Sequence, residues 1–89
     1  MPRWTLQYRG EVQGVGFRAT VRQIAAGFAV TGFVQNLADG GVRVVAEGAD
    51  GELGEFALAV ETAFARRIRG VTCDSSPGTG EFSDFSIAY

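Results

Sequence analysis

Gly10-Glu11-Val12-Gln13-Gly14-Val15-Gly16-Phe17-Arg18 is the stretch where the chain changes period. Upstream, Trp4, Leu6 and Tyr8 alternate with Thr5, Gln7 and Arg9, the period of two that predicts a half-buried strand over residues 3–10. Downstream, Phe17, Val21, Ile24, Ala25 and Phe28 recur on one helical face while Arg18 and Arg22 fall on others, predicting a helix over 17–28. The glycines between them require a loop. A glycine-rich loop leading into a helix can turn several backbone N–H groups inward as an anion nest. The helix adds its own unpaired N–H groups and the positive end of its dipole. Arg18 stands in the first helical turn, and its planar fork can donate two parallel hydrogen bonds to a phosphate or carboxylate. Loop, dipole and guanidinium aim at one oxyanion, and several donors around one nest suit a phosphate best. On residue types alone, the plainer reading of a glycine turn followed by a solvated arginine stands beside this one.

The rest of the chain supplies the partners this unit needs. Residues 31–47 read as a hairpin: Gly32 to Leu37 alternate, Asp39-Gly40 is a two-residue turn signal, and Val42, Val44 and Ala46 alternate with Arg43, Val45 and Glu47. Asp50 is the expected N-cap of a second helix, whose Leu53, Phe56, Ala57, Val60, Phe64 and Ile68 repeat at 3–4 spacing. Arg66, Arg67 and Arg69 then fall at its C-terminal end, where cations suit the dipole, and Gly70 can close it. Val71-Thr72-Cys73 predicts a short strand, Ser75 to Gly80 a turn-rich loop, and Phe82, Phe85, Ile87 and Tyr89 a final strand. The order is β-α-β-β-α-β with room for a fifth short strand. Two helices cannot cover both faces of a small sheet and still leave a core. The expected fold is therefore α+β: a two-layer ferredoxin-like sandwich, an antiparallel sheet with both helices on one face. Fold alone implies no activity.

At 89 residues, with 46% hydrophobic and 20% charged side chains, the chain is expected to form one globular domain over residues 1–89. A domain of this size buries about 60–68% of its unfolded surface. The chain has no histidine, which removes Ser-His and Cys-His catalysis and any His-ligated metal. It has no lysine, which removes Schiff-base chemistry and the P-loop lysine. Cys73 is alone, so no intrachain disulfide or CxxC pair can form, and it reads as a small packed hydrophobe. A net charge of −2 argues against nucleic acid. No apolar run is long enough to span a membrane, and the N-terminus leads directly into alternating sequence, so the cytoplasm is expected. Chemistry must come from arginine, amides, carboxylates and backbone.

The nine residues from Gly10 to Arg18 resemble the acylphosphatase signature G-x-V-Q-G-V-x-F-R. Gly32-Phe33-Val34-Gln35-Asn36-Leu37-Ala38-Asp39-Gly40 is similar to that family's following segment, G-[WF]-V-x-N-x-x-[DR]-G, at the matching distance from Arg18. The close resemblance covers residues 10–48, and Phe85-Ser86-Ile87 is similar in kind. It implies the fold reached above, and hydrolysis of the carboxyl-phosphate anhydride of small acyl phosphates to carboxylate and inorganic phosphate. It implies no metal and no cofactor. Position by position, the resemblance assigns Arg18 to the substrate phosphate, together with the backbone N–H groups of Gln13, Gly14, Val15, Gly16 and Phe17. It assigns Asn36 to the attacking water, a role its amide suits because it donates and accepts at once. The expected partner is the small-molecule substrate, with no nucleic acid and no membrane, and the chain is expected to act as a monomer.

Three departures from the family pattern stand out. Gly41 replaces a common Ser or Thr. Phe28-Ala29-Val30 replaces Leu-Gly-Leu, which would strain Ala29 by about 1 kcal/mol if that position were left-handed. The second helix lacks a closing Gly-Pro. The alternative to an enzyme is a non-catalytic module of the same fold that binds phosphate or carbamoyl phosphate. An RNA-recognition module shares the element order, but Val42-Arg43-Val44-Val45-Ala46 offers no aromatic for base stacking.

Overall fold

A computed structural model describes residues 1–89. The elements run β1 (Pro2–Gly10), α1 (Phe17–Ala25), β2 (Thr31–Asn36), β3 (Val42–Glu47), α2 (Asp50–Ala63), β4 (Ile68–Pro77) and β5 (Phe85–Ala88). The strands form one sheet in the order β4-β1-β3-β2-β5. β1 pairs antiparallel with β3 and β4, and β2 antiparallel with β3. β5 lies parallel to β2, so the sheet is mixed rather than wholly antiparallel. β1, β2 and β5 consequently point the same way, and their C-terminal ends share one end of the sheet. The glycine loop that follows β1, Asn36 at the end of β2 and the end of β5 lie there.

Burial follows the sequence periods. Leu6 and Tyr8 of β1, Val34 of β2, and Val42, Val44 and Ala46 of β3 face the helices. They meet Phe17, Val21 and Ala25 of α1 and Leu53, Phe56, Ala57 and Val60 of α2, all buried. The aromatic contacts continue from Tyr8 to Phe17 (5.3 Å between ring centres) and from Phe17 to Phe64 (4.5 Å), within the range of attractive ring pairs. No helix is long and apolar enough to cross a membrane.

Several expectations are corrected. α1 ends at Ala25 rather than 28, because the chain tightens into bonds from Gly27 N–H to Ile24 and from Phe28 N–H to Ala25. The Ala29 N–H then donates to the Glu52 carboxylate at 2.6 Å. No non-glycine residue has positive φ, so Ala29 carries no left-handed strain. The hairpin turn is the longer loop Leu37–Gly41, closed by Leu37 N–H to Gly41 O and Gly40 N–H to Leu37 O, with Gly40 at φ 93°. Asp50 is the first residue of α2, not its cap. Ala49 occupies that place, and Asp50 and Glu52 act on the helix dipole from the first turn. α2 ends at Ala63, and Arg66 and Arg67 lie in the following turn with Arg69 and Gly70 inside β4. That strand runs through the predicted 75–80 loop as far as Pro77, and the last strand begins at Phe85 rather than near Phe82. Cys73 is exposed on this edge strand, not packed.

The chain must cross the sheet from β4 at one edge to β5 at the other, and Glu47 fixes that crossing. Its buried carboxylate accepts from Thr79 N–H (3.1 Å), Gly80 N–H (2.9 Å) and Arg3 Nε (2.8 Å). Phe82 continues the crossing over Arg3 and against Phe33. The Thr79 amide, with help from Gly80 and Arg3, holds the Glu47 carboxyl at about 2, below its ordinary 4.5. A carboxyl depressed in the folded state stabilises fully above its unfolded value and loses that contribution as pH falls through the folded one. The Glu47 contribution is therefore complete above about pH 4.5 and vanishes toward pH 2. Thermal melting of the wild type should fall across that window. Glu47→Gln should melt lower at pH 7 and show a flatter acid limb, because its amide NH₂ would face the same donors.

Candidate active site

Between β1 and α1 the chain turns through Gly14 and Gly16, both at φ 75°. A Cβ at either would meet nothing within 4 Å, so glycine is needed there for the left-handed backbone and not for space. Val12, fully buried, pins the loop to the core below. Gly16 is also the N-cap of α1: it offers no side chain to bond the first N–H groups, and no acidic residue stands in the first turn. The positive end of the helix is left open to an exogenous anion.

The same region gathers the two predicted side chains. A cavity of about 200 Å³ is lined by Val12, Gly14, Gly16, Phe17, Arg18, Ala19, Asn36, Ile87 and Tyr89. Arg18 comes from the first turn of α1 and Asn36 from the last position of β2, where it stands opposite Val42. Arg18 forms no ion pair with any carboxylate of the chain. The Tyr89 ring lies 5.1 Å from its guanidinium carbon, a cation–π contact that braces one face of the fork. The Asn36 side-chain oxygen is buried without a hydrogen-bond partner. A buried unsatisfied acceptor costs free energy, and the Asn36 side chain that carries it forms part of the cavity wall.

Of the five loop residues expected to bind through their backbone, Gly14, Gly16 and Phe17 line the cavity, whereas Gln13 and Val15 do not. Gln13 has another part. Its amide donates to Leu37 O and Gly41 O, both at 2.8 Å, and so ties the loop to the β2–β3 turn that follows Asn36. Glu11 fastens the other flank: its N–H donates to Arg67 O, and its carboxylate lies 3.6 Å from Arg67 and 4.0 Å from Arg69. Gly41, where Ser or Thr is common, sits beside Arg9. A Cβ on Gly41 would meet the tip of the flexible Arg9 side chain, whose guanidinium pairs with Asp39 at 2.6 Å, so a larger residue there would ask Arg9 to shift. The cavity walls Ala19, Ile87 and Tyr89 escaped the sequence reading; the parallel pairing of β5 on β2 is what brings the last two there.

The arrangement combines an open helix N-terminus, left-handed glycines, a free guanidinium and an amide with a vacant acceptor. Such a site can hold a tetrahedral oxyanion and orient one small polar molecule beside it, and it lacks any histidine or lysine for covalent work. The acylphosphatase family model matches residues 4–87. The chain is 37% identical over 87 residues to an acylphosphatase of Lactobacillus johnsonii, covering 96% of each chain. It is 40% identical over 89 residues to one of Bacillus velezensis, covering 94% of this chain and 99% of the relative. Its fold superposes on the crystal structure of acylphosphatase from Bacillus subtilis with a TM-score of 0.90 at 31% identity, covering both chains completely. The phosphate signature, the sheet that presents it and these relatives agree: the chain belongs to the acylphosphatase family.

Proposed function

We propose that Arg18 and the backbone of the glycine loop hold the phosphate of an acyl phosphate while Asn36 orients the water that attacks phosphorus. The enzyme class comes with the family: the chain is an acylphosphatase, hydrolysing the carboxyl-phosphate anhydride bond to carboxylate and inorganic phosphate. The observation that carries the assignment of roles is the shared cavity. Arg18, Gly14, Gly16 and Asn36 line one space, and the Asn36 amide oxygen in its wall is buried without a partner.

The chemistry asks little more of the protein. The leaving group is a carboxylate, stable at neutral pH without a general acid. Water adds to phosphorus as the bond from phosphorus to the acyl oxygen breaks, and the electron pair leaves on the carboxylate. The water proton passes to a non-bridging phosphate oxygen, since no histidine is present to accept it. Phosphoryl transfer of this kind depends on positioning and on charge stabilisation of the equatorial oxygens. Loop amides, helix dipole and guanidinium supply the charge, and Asn36 supplies the position. On this reading neither metal nor cofactor takes part, and the site is complete within one chain acting as a monomer on a free small molecule. It needs no nucleic acid and no membrane. We place it in the cytoplasm, a reducing compartment that suits a single exposed cysteine.

The test is hydrolysis of acetyl phosphate in the presence of EDTA. Sustained turnover supports the metal-free mechanism, and phosphate binding without turnover overturns it in favour of a binding module. The Gln13 tie adds a second expectation. Gln13→Ala frees the loop from the β2–β3 turn, so kcat should fall about tenfold or more while the fold persists, in line with the cost of small misplacements. Gln13→Glu should be worse at neutral pH, where a carboxylate would face two carbonyl oxygens, and should recover relative to wild type as pH falls and the carboxyl takes a proton, which the two carbonyls favour already above the ordinary value of about 4.3.

A further inference from the structure

The largest cavity of the chain, about 540 Å³, lies at the end of the sheet away from the phosphate site, where β2 begins at Thr31 and β3 ends at Glu47. The segment 28–31 walls one side and Gly78 and Gly80 of the crossing wall another, with the exposed Met1 and the buried Glu47 completing it. Met1, Phe28, Ala29 and Val30 supply its apolar surface. Its free polar groups are acceptors more than donors. The N–H groups of Phe28, Ala29, Gly78 and Gly80 are already engaged, by Ala25 O, the Glu52 carboxylate, Met1 O and the Glu47 carboxylate. Glu47 Oε2 accepts from Arg3 and from both the N–H and the hydroxyl of Thr79, but Oε1 accepts only from Gly80 N–H. A carboxylate oxygen can take about two hydrogen bonds, so Oε1 keeps one position open. Gly78 keeps the approach clear, since a Cβ there would stand 3.1 Å from Oε1 and collide with Met1 O. Thr31 adds a hydroxyl that can accept as well.

Charge points the same way. Glu47, Glu52 behind Ala29, and Glu81 on Arg3 bring three carboxylates to the cavity, against Arg3 and the terminal ammonium of Met1. That ammonium pairs with no carboxylate. We propose that the cavity binds a primary ammonium carried on a short apolar body, the ammonium donating to Glu47 Oε1 and the body packing against Phe28, Ala29 and Val30. An ionised acceptor makes hydrogen bonds roughly twice as strong as a neutral one, and strongest to a cationic donor, so the site separates an ammonium from its neutral and anionic analogues. The cavity shares no residue with the phosphate site, which makes this assignment independent of the catalytic one.

The test titrates the full chain at pH 7 with 2-phenylethylammonium, 2-phenylethanol and 3-phenylpropionate, following backbone amide shifts by two-dimensional NMR. The ammonium should shift the amides of Ala29, Thr31, Gly78 and Gly80 and bind about tenfold more tightly than the alcohol, while the carboxylate leaves them in place. Glu47→Gln should bring the ammonium down to the level of the alcohol. That change also loosens the crossing, so Ala29→Trp supplies an arm that keeps Glu47. Ala29 is exposed, and an indole there should occupy the cavity mouth and abolish the ammonium's shifts while the rest of the spectrum stays in place. Equal binding of ammonium and alcohol by the wild type overturns the inference, as do shifts confined to residues outside the cavity. So does a preference for the ammonium that survives Glu47→Gln, or binding that Ala29→Trp leaves unchanged.

Discussion

Arg18→Lys should lower kcat/KM by about 10²-fold or more, and should raise the concentration of inorganic phosphate needed for product inhibition. Lysine keeps the positive charge, so the comparison separates charge from geometry. The ammonium is a strongly hydrated point charge on a flexible stem and cannot present two parallel donors to adjacent phosphate oxygens. The loop around the site is fixed by Val12, Gln13 and Glu11, so the phosphate cannot shift to meet a displaced cation. Loss of one preorganised donor to a reacting oxyanion typically costs about 10²–10³ in rate. Stability should be nearly untouched, since Arg18 holds no carboxylate in the folded chain and stacks only on the exposed Tyr89. A melting temperature within a few degrees of wild type is the expected control. Near-normal turnover in Arg18→Lys would show that the phosphate is held elsewhere.

The elements that position this site were legible because burial imposed a period on them. β1, α1, β2 and β3 each turn one face to the core, and Leu6, Phe17, Val34 and Val44 announce it by spacing. β4 gave no such signal. It is an edge strand whose residues 71–77 are all exposed, and its place is set by backbone pairing with β1, which carries no side-chain pattern. Ser75 and Ser76 therefore read as a turn although they lie in register with Trp4 and Arg3. The end of α2 was misread for a related reason. The arginines at 66, 67 and 69 suit a helix C-terminus, but the chain turns at Phe64, whose carbonyl accepts from the N–H groups of Arg67 and Ile68 and whose ring packs on Phe17. Within the site, Arg18 and Asn36 were visible because they belong to contiguous motifs. Ile87 and Tyr89 were not, since a parallel pairing across the sheet brings them in from far along the chain. The use of the Gln13 side chain as a tie was hidden because only the folded turn shows where its two carbonyl acceptors stand.

Asn36→Ala should separate binding from chemistry. The amide contributes no charge to the phosphate, so removing it should leave KM and inhibition by inorganic phosphate close to wild type. On the proposed assignment, what is lost is the group that both accepts from and donates to the attacking water. With no histidine to take over, kcat should fall by about 10²–10³. A drop in kcat matched by kcat/KM is the signature of an interaction made chiefly in the transition state, in contrast to the Arg18 variants, where binding should fail as well. Asn36→Asp provides the sharper arm. A carboxylate can accept from the water but cannot donate, and it sets a negative charge beside an anionic substrate, so KM should rise in addition to the loss in kcat. The folded state should tolerate the alanine, because the side-chain oxygen it removes is buried without a partner and its loss leaves no donor unpaired. A kcat within a few fold of wild type in Asn36→Ala would leave the water without its holder and return the choice to the backbone of the glycine loop.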